Sequence, residues 1–204
     1  MDEEKRAEGS VDSEDSEVRE AQVDYNKRYT YSDYLSWDDD ERWELIDGVP
    51  YMMSAPNNEH QGILGNVFGN FWVYLKGKPC KVYAAPFDVR LNADTFDNTV
   101  VQPDVLIICD REKLNKAGCK GAPDMVVEVL SPSTSKYDRT TKFQTYEKEG
   151  VLEYWIIDPV KRTLTVNLLE DNRYVSYPYT ETDVVSVHVL EGFSLNVTEL
   201  FEDW

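Results

Sequence analysis

Between Pro103 and Asp158 the chain carries three apolar runs of strand length: Val105-Leu106-Ile107-Ile108, Met125-Val126-Val127-Glu128-Val129-Leu130 and Tyr154-Trp155-Ile156-Ile157. A polar segment of helical length precedes the last of them. Runs this continuous read as central strands covered on both faces, which requires helices on both sides of one sheet. Two of the runs carry an acid where an acid is costly: Asp104 opens the first and Glu128 interrupts the second. A carboxylate buried among Val, Leu and Ile costs several kcal/mol unless something compensates its charge. A bound divalent cation does so, and the first expectation is that Asp104 and Glu128 share a metal.

The flanking sequence fills in the order of elements. Thr30 is placed to cap a short helix over Tyr31–Leu35. Asp47-Gly48 between the apolar runs Trp43–Ile46 and Val49–Met53 is a type I′ hairpin signal, and Pro50 confines the second strand to a sheet edge. Residues 58–76 read as the first long helix. It has one stripe of Ile63, Val67, Phe71 and Tyr74 and a neighbouring stripe of Leu64, Phe68, Trp72 and Leu75, so a wide face is expected to be buried. Gly62, Gly65 and Gly69 weaken that helix, and close approach of another element would explain them. Residues 80–91 and 99–109 read as strands, with 111–123 a Gly- and Lys-containing connection and 124–130 the next strand. Ser131-Pro132-Ser133-Thr134 leads into a helix of about 135–149 closed by Gly150, then a strand at 152–158. Short antiparallel strands over 164–169, 174–179 and 184–190, with a turn at Asp171-Asn172, and a helical turn at 197–201 complete the chain. The expected fold is a mixed α/β sheet flanked by helices, with an N-terminal hairpin and a C-terminal antiparallel extension.

Charge divides the chain in two. Residues 1–24 hold ten acids against Lys5, Arg6 and Arg19, which is −7 of the −18 total and leaves −11 for the remainder. Residues 1–28 are accordingly expected to be a disordered acidic tail, and 29–204 a single domain. The apolar fraction of 41% supplies a core, but no run reaches the roughly 18 residues a membrane span needs. The N-terminus lacks a signal-type apolar region. Cys80, Cys109 and Cys119 are odd in number and form no CxxC pair. They argue against a zinc site and against a disulfide framework, and for a reducing, cytoplasmic setting.

Asp104 and Glu128 lie 24 positions apart on consecutive expected strands, so neighbouring strands would let their carboxylates converge. Mg²⁺ takes such hard oxygen ligands, and the Val129 carbonyl is a further donor. Leu130 shares a face with Glu128, so the strand itself offers no cation there; the next helix offers Lys136, Arg139 and Lys142. Glu44 is either a third inward carboxylate or an edge-strand surface acid. His60 is either a buried core histidine or a group facing the site from a helix start. Asp88 reads equally as a site acid, a partner of Arg90 or a cap. Asp124 reads as a strand-entry residue, Asp158 as a turn residue and His188 as an exposed strand position.

Pro103-Asp104 followed two dozen residues later by a strand Glu128 resembles the PD-(D/E)xK phosphodiesterases. More closely, the chain resembles the Uma2 family, once called DUF820. The likeness is carried by Trp43-Glu44-Leu45-Ile46-Asp47-Gly48, Pro86-Phe87-Asp88-Val89-Arg90-Leu91, Val101-Gln102-Pro103-Asp104, Glu128-Val129-Leu130-Ser131-Pro132-Ser133-Thr134, Asp138 through Lys142 to Tyr146, and Gly150-Val151 with Glu153-Tyr154-Trp155. It spans about 29–204. It implies a restriction-endonuclease-like core, with Mg²⁺ or Mn²⁺ held by Asp104 and Glu128. The departure is Leu130 at the lysine position, and the resemblance moves that lysine to the helix at Lys142. The competing role for Lys142 is a surface residue paired with Asp138 one turn earlier.

Three functions compete. The first is a metal-dependent endonuclease acting on nucleic acid, DNA in the first instance, with Asp104, Glu128 and Lys142 as its catalytic residues and Glu44 and His60 beside them. The second is a non-catalytic module of the same fold that binds protein or nucleic acid and assembles as a homodimer. The domain charge of −11 favours it unless Lys136, Arg139, Lys142 and Lys148 gather in one place. A paired-carboxylate glycosidase is the third, and only the two acids speak for it.

Overall fold

The computed structural model describes residues 23–37 and 41–202. The acidic-tail expectation falls almost entirely on residues 1–22, outside the described residues. At Asp24 the chain already folds back, its N–H reaching the Tyr29 hydroxyl at 3.0 Å.

Local signals hold well in the N-terminal third. Helix α1 (Tyr31–Tyr34) starts at Thr30, whose hydroxyl accepts from the Asp33 N–H while the Asp33 carboxylate accepts from the Thr30 N–H, a reciprocal capping box. Strands β1 (Arg42–Ile46) and β2 (Val49–Met53) pair antiparallel through Asp47 and Gly48, with φ of 48° and 76°. Both turn residues are left-handed, as a type I′ turn requires, and β2 with its Pro50 is an outer strand. Helix α2 (Asn58–Leu75) is capped by the Asn57 side chain and buries His60, Ile63, Val67, Phe71 and Leu75. The second expected stripe follows in part: Leu75 is buried and Leu64 and Phe68 pack against the core, but Trp72 is 58% exposed. A methyl group at Gly69 would meet nothing within 4 Å, so close approach does not account for that glycine.

The next two expected strands are each broken in two, and the breaks create the architecture. Residues 80–91 become β3 (Lys81–Ala84) and β4 (Val89–Arg90), separated by a cis Ala85-Pro86 bond; residues 99–109 become β5 (Val100–Val101) and β6 (Val105–Ile108). In each case the first and second pieces lie in different sheets. After a 3₁₀ turn at Arg111–Lys113 come β7 (Leu114–Asn115), β8 (Gly118–Lys120) and β9 (Met125–Val129). Next are α3 (Ser135–Tyr137), a π turn at Asp138–Lys142 and α4 (Phe143–Glu149), ended by Gly150 at φ 86°. The chain closes with β10 (Glu153–Asp158), β11 (Thr163–Glu170), β12 (Arg173–Thr180), β13 (Val184–Ser186), β14 (Ser194–Asn196) and a 3₁₀ turn at Val197–Leu200.

One sheet runs β12-β11-β10-β9-β6-β3, the other β2-β1-β5-β4-β8-β7, and β13 pairs with β14 alone. The first is mixed: β9 and β10 are parallel, joined by the α3–α4 crossover, and the other pairs are antiparallel. Its two faces carry separate cores. Val105, Ile107, Val127 and Trp155 pack under α2, whereas Leu106, Ile108, Val126 and Ile156 pack with Tyr146 of α4. Alternation along each strand assigns those residues to opposite faces.

One expectation about cysteine is corrected. Lys81 faces Ile108 across the β3–β6 ladder, so the next pair outward is Cys80 and Cys109, and these two are joined in a disulfide. Cys119, buried against β4, is the free one. The odd count concealed a pair that only strand register brings together.

Candidate active site

The antiparallel register of β6 and β9 sets Val105 opposite Val127, so Asp104 and Glu128 stand opposite one another at the end of the ladder. Helices from both faces converge there. His60 comes from the first turn of α2, and Lys142 and Tyr146 from the π turn and α4. Glu44 arrives from β1 of the other sheet. Glu44, His60, Asp104, Glu128, Val129 and Lys142 line one cavity of about 410 Å³. All five expected catalytic residues and the expected metal-ligand carbonyl are thus brought together.

Each carboxylate has its own supports. Asp104 Oδ2 accepts the Val129 N–H at 2.8 Å and lies 3.1 Å from His60 Nε2. Glu128 Oε1 accepts both the Lys142 ammonium and the Tyr146 hydroxyl, each at 2.8 Å. Glu44 Oε1 accepts the Gln102 N–H at 2.8 Å and sits 3.0 Å from Lys142 Nζ. Glu44 is 1% exposed, which removes the reading of an edge-strand surface acid. Lys142 is equally buried, at 3% exposure. Its distance to Asp138 Oδ1 is 3.8 Å, so the expected Asp138 partnership exists, but inside the site and not on the surface. The π turn supports this placement: it buries both Asp138 and Lys142, and the Asp138 carbonyl accepts the Tyr154 hydroxyl at 3.1 Å.

Burial works against the Lys142 ammonium, but Glu128 and Glu44 outweigh it and hold its pKa well above that of an ordinary lysine. Burial pushes the Glu128 carboxyl up, with Lys142 pulling it back and Asp104 and Asp138 adding to the rise. Asp138 is pushed up to about 6 by burial, again opposed by Lys142. Burial also disfavours a charged His60, but the hydrogen bond and charge of Asp104 prevail and raise its pKa.

These shifts bear on metal binding. Glu44, Asp104, Glu128 and Asp138 share one cavity with Arg42, Lys142 and His60, so its carboxylates outnumber its cations, and Arg42 is turned to Gln102. A divalent cation would relieve that excess, and two carboxylates with a main-chain carbonyl are the hard oxygen donors Mg²⁺ takes. Among the described residues no three His, Cys, Asp or Glu side chains form a metal-holding group by themselves. A site would therefore rest on Asp104, Glu128 and the Val129 carbonyl.

Other candidates take structural places. Asp88 accepts from Tyr34 and Gln102, not from Arg90, whose guanidinium pairs with Asp97. Asp124 accepts the Cys109 N–H at the strand entry, and Asp158 accepts the Lys161 N–H in its turn. His188 is exposed, but just beyond β13 and not within it. Of the four cations whose gathering would offset the domain's negative charge, three are held in separate ion pairs. Arg139 pairs with Asp158, and Lys148 with Asp47 and Glu149, while Lys142 is buried among acids. Residue-level reading missed three participants: Tyr146, Gln102 and Tyr137. Tyr146 follows Lys142 by one helical turn, a spacing that marks it as a neighbour. Gln102 ties the site to its surroundings, its side chain accepting from Arg42 at 2.7 Å and donating to Tyr34 and Asp88.

The fold defines a restriction-endonuclease-like α/β domain. A crystal structure described as a "putative nuclease belonging to DUF820" from Anabaena variabilis ATCC 29413 matches with a TM-score of 0.70, over 85% of this chain and 97% of that one, at 19% identity. The chain belongs to the Uma2 family, whose model, described as "Putative restriction endonuclease", matches residues 31–198. The uncharacterized protein slr1290 of Synechocystis sp. (strain ATCC 27184 / PCC 6803 / Kazusa) is 31% identical over 127 residues, or 61% of this chain. That match spans 65% of the relative's own length.

Proposed function

We propose that this protein is a Mg²⁺- or Mn²⁺-dependent endonuclease that hydrolyses phosphodiester bonds, with DNA as its first substrate. The observation that carries the reading is the Lys142 ammonium, 2.8 Å from Glu128 Oε1. The cation absent from the strand at Leu130 is supplied in space by the helix. Asp104 and Glu128, with the Val129 carbonyl, would hold the ion. Bound there, a divalent ion supplies Lewis-acid polarisation of the phosphoryl oxygen and a more acidic water.

The remaining work falls to the chain's own groups. The Val129 N–H and His60 fix the Asp104 carboxylate in place, and Tyr146 fixes Glu128. Glu44, held by the Gln102 N–H, keeps Lys142 charged and aimed at Glu128. The ammonium then offsets negative charge that builds on the phosphoryl oxygens, which is worth most for a group as buried as Lys142.

A non-catalytic binding module is the second reading, favoured by the ion pairs that occupy Arg139 and Lys148. Plasmid nicking and single-strand cleavage with Mg²⁺ or Mn²⁺ separate the two. The wild type should cleave, and Asp104→Ala, Glu128→Ala and Lys142→Ala should each lose cleavage. Equal cleavage by all four proteins would place the activity elsewhere and leave the binding reading.

A further inference from the structure

Among the described residues, two buried side-chain polar atoms lack a protein hydrogen-bond partner: the Tyr137 hydroxyl and His60 Nδ1. Both residues line the same cavity, the one that holds Asp104, Glu128 and Lys142. Burying a hydroxyl away from any partner costs free energy that a fold rarely leaves unrecovered. A coincidence of two such atoms at one cavity points to a polar ligand that completes them.

Tyr137 is otherwise firmly held. Its ring packs against Tyr51, with centroids 4.5 Å apart, and Lys142 Nζ lies 5.5 Å from its centroid. It is the last residue of α3, directly before the π turn that carries Lys142 inward. The donors near the acid cluster are spoken for: Arg42 donates to Gln102 Oε1, and Lys142 is shared by Glu128 and Glu44. A phosphodiester entering this cavity brings anionic oxygens that need donors, and four carboxylates line the walls it meets. The Tyr137 hydroxyl is a buried donor that no protein group uses, on a residue that lines this cavity, and phenol to phosphoryl oxygen is a charge-assisted hydrogen bond.

We propose that Tyr137 is a substrate-contacting residue whose hydroxyl donates to a non-bridging oxygen of the bound phosphodiester. The proposal rests on the hydrolytic reading for its substrate class, but the contact itself is testable without turnover.

Tyr137→Phe removes the hydroxyl and keeps the ring. Three measurements are made on wild type and variant: Tm, kcat/KM for cleavage of a fluorescent single-stranded oligonucleotide with Mn²⁺, and anisotropy-based binding of the same oligonucleotide with Ca²⁺ in place of Mn²⁺. The expected result is a Tm unchanged or raised, because no protein partner is lost, together with a loss of about tenfold or more in kcat/KM and in affinity. A structural hydroxyl would give the opposite sign on stability, so a Tm lowered by several degrees overturns the proposal. Unchanged cleavage and binding overturn it too. A wild type that binds without cleaving, and whose binding Tyr137→Phe weakens, removes the hydrolytic reading and leaves the Tyr137 contact standing. A wild type that neither cleaves nor binds removes both.

Discussion

Lys142 and Glu128, 14 positions apart in sequence, form a 2.8 Å ion pair in which both side chains are almost completely buried. Glu44 shares the same ammonium from the opposite sheet at 3.0 Å. One cation thus ties the two sheets together at the candidate site.

Removing that cation should be expensive. Lys142→Met leaves Glu128 and Glu44 buried without a partner, and breaking a buried pair from one side costs about 3–5 kcal/mol. Urea denaturation should show a loss of that order, and the double variant Lys142→Met/Glu128→Gln should recover part of it. A loss under about 1 kcal/mol would be that of a surface pair.

Metal binding should read out in stability. An ion that binds the folded state alone adds about 2.7 kcal/mol at 100 times its Kd. Mg²⁺ or Mn²⁺ should therefore raise the Tm of the wild type, and the increment should disappear in Asp104→Asn and in Glu128→Gln. A shift of the same size in all three proteins would locate the ion elsewhere.

Asp138 gives a pH signature. Its carboxyl is raised from an ordinary 3.8 to about 6, so the folded state keeps a proton that the unfolded chain has already released. The resulting stabilisation is complete below about pH 3.8 and is lost as pH rises through about 6. At about 1.4 kcal/mol per unit, the stability of wild type relative to Asp138→Asn should fall by up to about 3 kcal/mol between pH 4 and 6.5. His60, raised above 6.5, acts with the same sign at higher pH. A flat difference curve across the window would show Asp138 to be ionised throughout.

Thiol titration tests the cysteine arrangement. Denatured, unreduced protein should present one thiol, Cys119, and reduction should release two more from Cys80 and Cys109. In the native state even Cys119 should react slowly, since burial pushes its pKa up to about 11. Three thiols without reductant would contradict the bridge.

Short-range chemistry is what the amino-acid pattern announced. The Thr30 capping box, the left-handed Asp47-Gly48 and Asp171-Asn172 turns and the Gly150 helix end each depend on residues within a few positions of one another. The two costly acids were visible for the same reason, as charges out of place in apolar runs. Strand breaks at Pro86 and Pro103 were present in the sequence, but apolar character on both sides concealed that the pieces join different sheets. Trp72 of the second α2 stripe misled because periodicity marks a face without saying how much cover each position on it receives.

Residue order alone thus specified the N-terminal hairpin, the first long helix, the local caps and turns, and the Asp104 and Glu128 pair, because local backbone preference and the price of a buried charge are written in neighbouring residues. Tertiary structure alone decided that Lys142 turns inward, that Glu44 crosses from the other sheet to meet it, that Cys80 faces Cys109, and that the Tyr137 hydroxyl is left without a partner. Those outcomes depend on strand register, sheet stacking and a π turn. All three are set by how distant segments pack, and none is written in the spacing of the residues they bring together.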